Sequence, residues 1–273
     1  MSEPTFLVIG AQKSGTTWLY QTMRRHPQVF ATTPKGLYFF DNPDHFAKGL
    51  GWYQGHFTPS AQHKASGEFT PNYFWTTADR TINDGRTLPQ RIHDHLPEAK
   101  IIVAMREPVD RAVSAYYHHI KAGRIRPDQR LLDVAHLHGI RDMGFYDEHM
   151  ACWLEAYPKE QIMALIYEED IGKQGQETLK KIWQFIDVDD SFEPPFTGYR
   201  YNKRRSHLHM RFKHRSERLA NLADRILPGV IKNHRRFQIP VHDHERQQLA
   251  ALYKPHNERL ADMLGRPLPW QNP

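Results

Sequence analysis

A continuous apolar run, Phe6-Leu7-Val8-Ile9-Gly10, opens directly into the string Gly10-Ala11-Gln12-Lys13-Ser14-Gly15-Thr16-Thr17-Trp18. A run that short, closed by glycine, reads as a strand buried on both faces. Residues 16–25 then read as a helix that stops before Pro27. A glycine loop between a buried strand and a helix N-terminus turns backbone N–H groups inward. The helix dipole adds positive potential at the same place, so the junction is suited to holding an anion.

The rest of the chain repeats the alternation. Residues 101–105 (IIVAM) and 162–167 (IMALIY) read as two more buried strands. Helices are expected from Pro108, a first-turn proline, to about residue 122, and over 145–156 and 177–186. Strand-then-helix order predicts a parallel sheet covered on both faces, an α/β three-layer sandwich with right-handed crossovers. The C-terminal third reads as mostly helical, most clearly over 209–226 and 243–264. With no repeat and no low-complexity segment, residues 1–273 are expected to form a single domain with a helical part from about 207.

Charge and cysteine content narrow the partners. Lys and Arg number 37 against 31 Asp and Glu, a net charge of +6, which suits an anionic substrate or cofactor. The single cysteine, Cys152, excludes an internal disulfide framework and any multi-cysteine metal centre, and no metal site is expected. Basic residues are dispersed and no nucleic-acid module is recognisable, so no nucleic-acid partner is expected. No apolar run approaches the ~18–20 residues of a membrane span. The opening Met-Ser-Glu-Pro-Thr lacks the regions of a signal peptide, and a cytoplasmic protein is the expectation. Oligomeric state is not legible.

The spacing from Gly10 to Gly15 matches the nucleotide-binding pattern GxxxxGK[ST], but Thr16 stands where the lysine belongs and the lysine sits inside the loop, at Lys13. Nucleotide hydrolysis also needs magnesium held by a loop hydroxyl and a further acidic residue. Residues 101–105 end instead in Arg106, and 162–167 end in a Glu-Glu-Asp run. A P-loop kinase is therefore the weaker reading. Arg106 is followed by Glu107-Pro108-Val109-Asp110-Arg111-Ala112-Val113-Ser114. Ligands of open α/β sheets bind beyond the carboxyl ends of the strands, so Arg106 is expected on the edge that carries the glycine loop. Positions 107, 110/111 and 114 share one helix face, which turns Ser114 toward that strand end. A guanidinium fork with a hydroxyl suits a phosphate dianion.

The string GAQKSGTTWL resembles the 5′-phosphosulfate loop of sulfotransferases that use 3′-phosphoadenosine 5′-phosphosulfate (PAPS) and release 3′-phosphoadenosine 5′-phosphate (PAP). The resemblance implies a P-loop NTPase-like sulfotransferase fold. It implies that Ser14, Gly15, Thr16, Thr17 and Trp18 bind the cofactor, and that Lys13 neutralises the bridging oxygen as sulfate leaves. Residues 106–116 resemble the family's RxPxxRxxSxY motif, which gives Arg106 and Ser114 the 3′-phosphate. Lys203 and Arg204 fall where the family has a mobile basic loop over that phosphate. Further likenesses at 144–153, 166–170 and 252–270 imply packing and capping residues.

The resemblance fails at one place. Many heparan-type and bacterial members carry a KExxFFD stretch whose glutamate removes the acceptor's proton. This chain has Lys35-Gly36-Leu37-Tyr38-Phe39-Phe40-Asp41, and a glycine moves no proton. Glu68, in GEFTPNY, is the first alternative base, with His45, His56, His118 and His119 as others. An acceptor needing little help, or an altered chain that binds cofactor but is catalytically impaired, also accounts for Gly36. Lys35, Phe40, Tyr73 and His118 are the expected acceptor-side residues. The expectation is thus transfer of a sulfuryl group to a hydroxyl or amine of a small-molecule or glycan acceptor.

Overall fold

Five parallel strands form one sheet in the order β2-β3-β1-β4-β5. The computed structural model describes residues 3–76, 82, 84–195 and 240–270. In chain order the first elements are β1 (Phe6–Gly10), α1 (Thr16–Met23), β2 (Val29–Ala31), α2 (Pro43–Phe46), α3 (Gly49–Gln54), β3 (Ala65–Phe69) and α4 (Leu88–His95). They are followed by β4 (Lys100–Met105), α5 (Pro108–Lys121), α6 (Leu131–Val134), α7 (Tyr146–Ala156), β5 (Ile162–Ile166), α8 (Gly175–Phe185) and α9 (Asp243–Leu264). The helix expected at 209–226 and the pair Lys203 and Arg204 lie outside the described residues.

The described residues gather into two compact units. The first draws on Met1–Glu107, Phe145–Tyr199 and Lys254–Pro273, and the second on Pro108–Gly144 and Arg200–Tyr253. The sheet belongs to the first. Phe6 stands opposite Gly67 of β3 and Lys100 of β4, and every residue of β1 is buried. Its core joins Phe6, Val8, Leu19, Phe69, Ile102, Ala104, Ile182 and Trp183. Burial on both faces explains why β1 and β4 read as apolar runs, while the edge strand β5 is fully buried only at Leu165 and Ile166.

Two strands were not expected from the sequence. β2 has only three residues. β3, Ala-Ser-Gly-Glu-Phe, contains no apolar run, yet all of it is buried. Gly67 is there because the Phe6 ring fills its side-chain space: a Cβ on Gly67 would lie 2.0 Å from Phe6 Cζ. Glu68 is there because neighbouring hydroxyls satisfy it, as described below.

In the second unit Arg111 is fully buried and donates to the carbonyls of Gly139, at 3.2 Å, and Ile140. Tyr116 donates its hydroxyl to the Gln129 carbonyl at 2.6 Å. A Cβ on Gly144 would meet Tyr253 Cε1 at 2.6 Å. Arg111, Tyr116 and Gly144 thus pack and anchor their own unit. Among the described residues no helix is long and apolar enough to cross a membrane.

Candidate functional site

Each strand of the sheet delivers a polar group at its carboxyl end. Lys13 follows β1, Lys35 follows β2, Glu68 is the penultimate residue of β3, Arg106 follows β4, and Tyr167 follows β5. Because β1 and β4 are adjacent and parallel, the loops after them leave on one edge.

The glycine loop is anchored by the Ala11 N–H on the Ala104 carbonyl, at 2.7 Å, and by the Ser14 N–H on the Ala11 carbonyl, at 3.2 Å. Lys13 and Gly15 both lie in the left-handed region, at φ 73° and 93°. A Cβ on Gly15 would come within 2.9 Å of the Tyr167 ring, so conformation and space both call for glycine. Gly15 is the N-cap of α1, and no side chain caps that helix start. Ser14 Oγ and Gln12 Oε1 are buried beside it without a hydrogen-bond partner among the described residues. The first-turn N–H groups of a helix require acceptors, and an anion supplies them.

Lys35 enters from the loop after β2. Its ammonium donates to Thr16 Oγ1 at 3.3 Å and to Thr17 Oγ1 at 3.2 Å. Burial, reinforced by the Lys13 ammonium, pushes Lys35 down to about 8. Two ammonium groups held near one another at a helix start are a receptor for an ion of several negative charges. The orphaned Ser14 hydroxyl and the uncapped α1 therefore fit the phosphosulfate end of PAPS.

On the next strand, Arg106 lays its guanidinium over the Tyr167 ring, 5.4 Å from the centroid. Its main chain is fixed by Tyr146, whose hydroxyl accepts the Arg106 N–H at 3.4 Å and donates to the Arg106 carbonyl at 2.9 Å. Glu168 Oε1 accepts the next N–H, that of Glu107, at 3.0 Å. Ser114 and His118 are half-buried on α5 in the second unit.

Glu68 is 0% exposed. Its carboxylate accepts from Thr70 Oγ1 at 2.5 Å, Tyr53 Oη at 2.7 Å and Tyr73 Oη at 3.0 Å. Two of those donors pass the anchorage on. Tyr73 Oη accepts the N–H groups of Phe39 and Phe40, at 2.9 and 3.2 Å, and Thr70 Oγ1 accepts the N–H of Tyr38 at 3.4 Å. Arg91, also fully buried, donates to the Phe40 carbonyl at 3.2 Å. The loop that carries Lys35 is thus held by a carboxylate beneath it. Phe40 and Tyr73 are both fully buried. Their rings serve this hub and its aromatic surroundings rather than an open wall. His45 donates Nδ1–H to the Leu37 carbonyl at 2.8 Å, and His56 donates to the Trp52 carbonyl at 2.9 Å. Tyr38 and Tyr53 were not singled out by sequence reasoning. Nothing in the residues flanking a lone Tyr betrays a partner 15 residues away, as Tyr53 has in Glu68.

Burial raises the Glu68 carboxyl to about 7, against the lowering effect of its three hydroxyl donors. A carboxyl that holds its proton more tightly folded than unfolded loses stability for the fold as pH climbs from about 4.5 to about 7. Glu68→Gln, neutral throughout, should flatten this slope. Urea unfolding at stepped pH is the check, and a variant slope equal to wild type in that window would refute it.

A parallel sheet with a glycine loop, paired lysines and an arginine along its carboxyl edge defines an α/β protein built to bind a multiply charged anion. Residues 3–224 match the family model described as "Sulfotransferase domain", and the chain belongs to the sulfotransferase family. Membrane-associated sulfotransferase kil1 of Dictyostelium discoideum is 37% identical over 121 residues, 43% of this chain and 23% of that protein. Human heparan sulfate glucosamine 3-O-sulfotransferase 6 is 33% identical over 162 residues, 57% of this chain and 44% of that protein. The chain thus spans less than half the length of these two relatives. The sulfotransferase of Alicyclobacillus acidocaldarius shares the fold over 100% of both chains, with TM-score 0.72 and 21% identity.

Proposed function

We propose that the protein transfers a sulfuryl group from PAPS to a hydroxyl or amine of an acceptor. The names of the heparan sulfate relatives favour a glycan acceptor. The observation that carries the reading is Lys35 seated on the Thr16 and Thr17 hydroxyls at an uncapped helix start, with Lys13 as the second cation. When bound, PAPS supplies an activated sulfuryl group on a phosphate leaving group.

In this reading the N–H groups of residues 14–17 and the Thr16 and Thr17 hydroxyls hold the 5′-phosphate. Lys13 neutralises charge on the bridging oxygen, and its contribution grows as that charge develops. Arg106, braced by Tyr167 and Tyr146, holds the 3′-phosphate, and Ser114 joins it on the strength of the motif alone. Trp18, which follows the loop hydroxyls on α1, and Lys203 and Arg204 are cofactor contacts by the same likeness. Glu68 acts as a positioning residue, through Thr70 and Tyr73, for the loop that carries Lys35. The transfer is in-line and depends chiefly on alignment and charge neutralisation.

Binding an anion beside Lys35 must raise its proton affinity again. PAP binding should therefore take up a proton above about pH 8, and affinity should fall as pH climbs from about 8 toward 10.5. Calorimetry at about pH 8.5 in two buffers of different ionisation enthalpy measures the uptake. It should be present in wild type and lost in Lys35→Met. A protein that binds ATP–magnesium in preference to PAP would overturn the reading in favour of a kinase. PAP binding without sulfate transfer to any acceptor would point to an impaired family member.

A further inference from the structure

Residues 36 and 38 both lie in the left-handed region, Gly36 at φ 81° and Tyr38 at φ 52°. Glycine enters that region freely, whereas a bulky residue does so only where its surroundings impose it. The imposed fold turns the Tyr38 ring back over Gly36. A Cβ built on Gly36 would stand 2.8 Å from Tyr38 Cε2, 3.2 Å from Cζ and 3.3 Å from Oη. The phenol thus occupies the space in which any side chain at position 36 would begin. The residue before Gly36 is Lys35, whose ammonium rests on the Thr16 and Thr17 hydroxyls of the glycine loop. Leu37, Phe39 and Phe40, on either side of Tyr38, are buried, while Tyr38 is half-buried and reaches solvent. Its N–H is tied to Thr70, and through Thr70 to Glu68.

We propose that Tyr38 is the acid–base residue of the transfer, its phenol oxygen receiving the acceptor's proton. The proposal rests on the sulfuryl-transfer reading above. Tyr38 Oη takes the acceptor's O–H or N–H proton as the acceptor atom forms its bond to sulfur. The donor's bridging oxygen would keep the electron pair of the broken sulfur–oxygen bond, and Lys13 would be its counter-cation. The charged and titratable groups on the elements around Tyr38 are Lys35 and Asp41 on its own loop, Lys13 on the loop before α1, Glu68 of β3, linked to it through Thr70, and His45 and Arg91, which donate to the Leu37 and Phe40 carbonyls of that loop. To take that proton the phenol must stand as phenolate, a form that the cations Lys35 and Lys13 favour and the carboxylates Asp41 and Glu68 oppose.

The test has a part that needs no donor. Ultraviolet difference titration of the free protein should show one tyrosine of the 12 ionising below the rest, and Tyr38→Phe should remove that step. No early step, or one that persists in Tyr38→Phe, overturns the proposal. The second part uses PAPS with two acceptor probes, phenol and p-nitrophenol. Loss of a general base should slow Tyr38→Phe about 100-fold with phenol, and far less with p-nitrophenol, which is already ionised near pH 8. Equal loss with both probes overturns the base role. If neither probe is turned over, the titration decides. Calorimetry with PAP separates the two readings. A wild-type protein that does not bind PAP refutes sulfuryl transfer itself, whereas PAP affinity equal in wild type and Tyr38→Phe leaves that reading intact whatever the phenol does.

Discussion

Lys13→Ala should turn over about 100- to 1000-fold more slowly than wild type while binding intact PAPS within about tenfold of it. The asymmetry follows from where the ammonium sits. Lys13 is inside the glycine loop, in the left-handed region at φ 73°, and not on α1. On the proposed reading its interaction strengthens as the bridging oxygen gains charge, so the loss falls on kcat more than on affinity for PAPS, whereas PAP, whose oxygen already carries that charge, should bind more weakly as well. Lys13→Arg should not restore the rate, because a planar fork cannot replace a compact charge in a loop this tight. A second readout comes without turnover. Lys13 contributes to the lowering of Lys35, so its removal should move Lys35 back toward its ordinary range, visible as a shift in the proton uptake on binding PAP. A Lys13→Ala enzyme with wild-type kcat would remove Lys13 from the chemistry.

Arg106→Ala should weaken PAP binding by about 2–4 kcal/mol, roughly 30- to 1000-fold, while kcat at saturating donor changes little. The side chain is held for recognition: Tyr167 supports its guanidinium and Tyr146 clamps its main chain on both sides. The specific check is adenosine 5′-phosphate, which lacks the 3′-phosphate. Its affinity should be nearly the same in wild type and variant. Equal losses for both nucleotides would place Arg106 away from the 3′-phosphate and reduce its role to packing against Tyr167.

The part of this molecule written in contiguous residues was legible. β1 and β4 are apolar because both faces are covered, the edge strand β5 was still marked by its apolar run, and the glycine loop stands as one contiguous string. What depends on distant partners was not. β3 looks unlike a strand because Gly67 yields its side-chain space to Phe6 and Glu68 is satisfied by Tyr53, Thr70 and Tyr73. Periodicity cannot register either compensation. Sequence reasoning offered Glu68 as an alternative base near the loop, but its full burial and its three hydroxyl donors are facts of packing that no string of residues announces. Tyr38 was hidden for a different reason: its ring finds Gly36 only because two residues of one turn adopt φ angles that a side-chain sequence does not announce.

The order β2-β3-β1-β4-β5 divides the carboxyl edge of the sheet between two tasks. On the proposed reading the central and right-hand strands, β1, β4 and β5, present Lys13, Arg106 and Tyr167 to the donor nucleotide. The left-hand pair, β2 and β3, carries Lys35, Tyr38 and their Glu68 anchor. Lys35 reaches across to Thr16 and Thr17, so change elsewhere in the left-hand loops would leave the proposed nucleotide grip in place. If Tyr38 serves as proposed, exchange of a carboxylate for Gly36 with a neighbouring phenol would rewrite one side of the edge alone, and a lineage with this sheet would acquire new clients without relearning how to hold its donor.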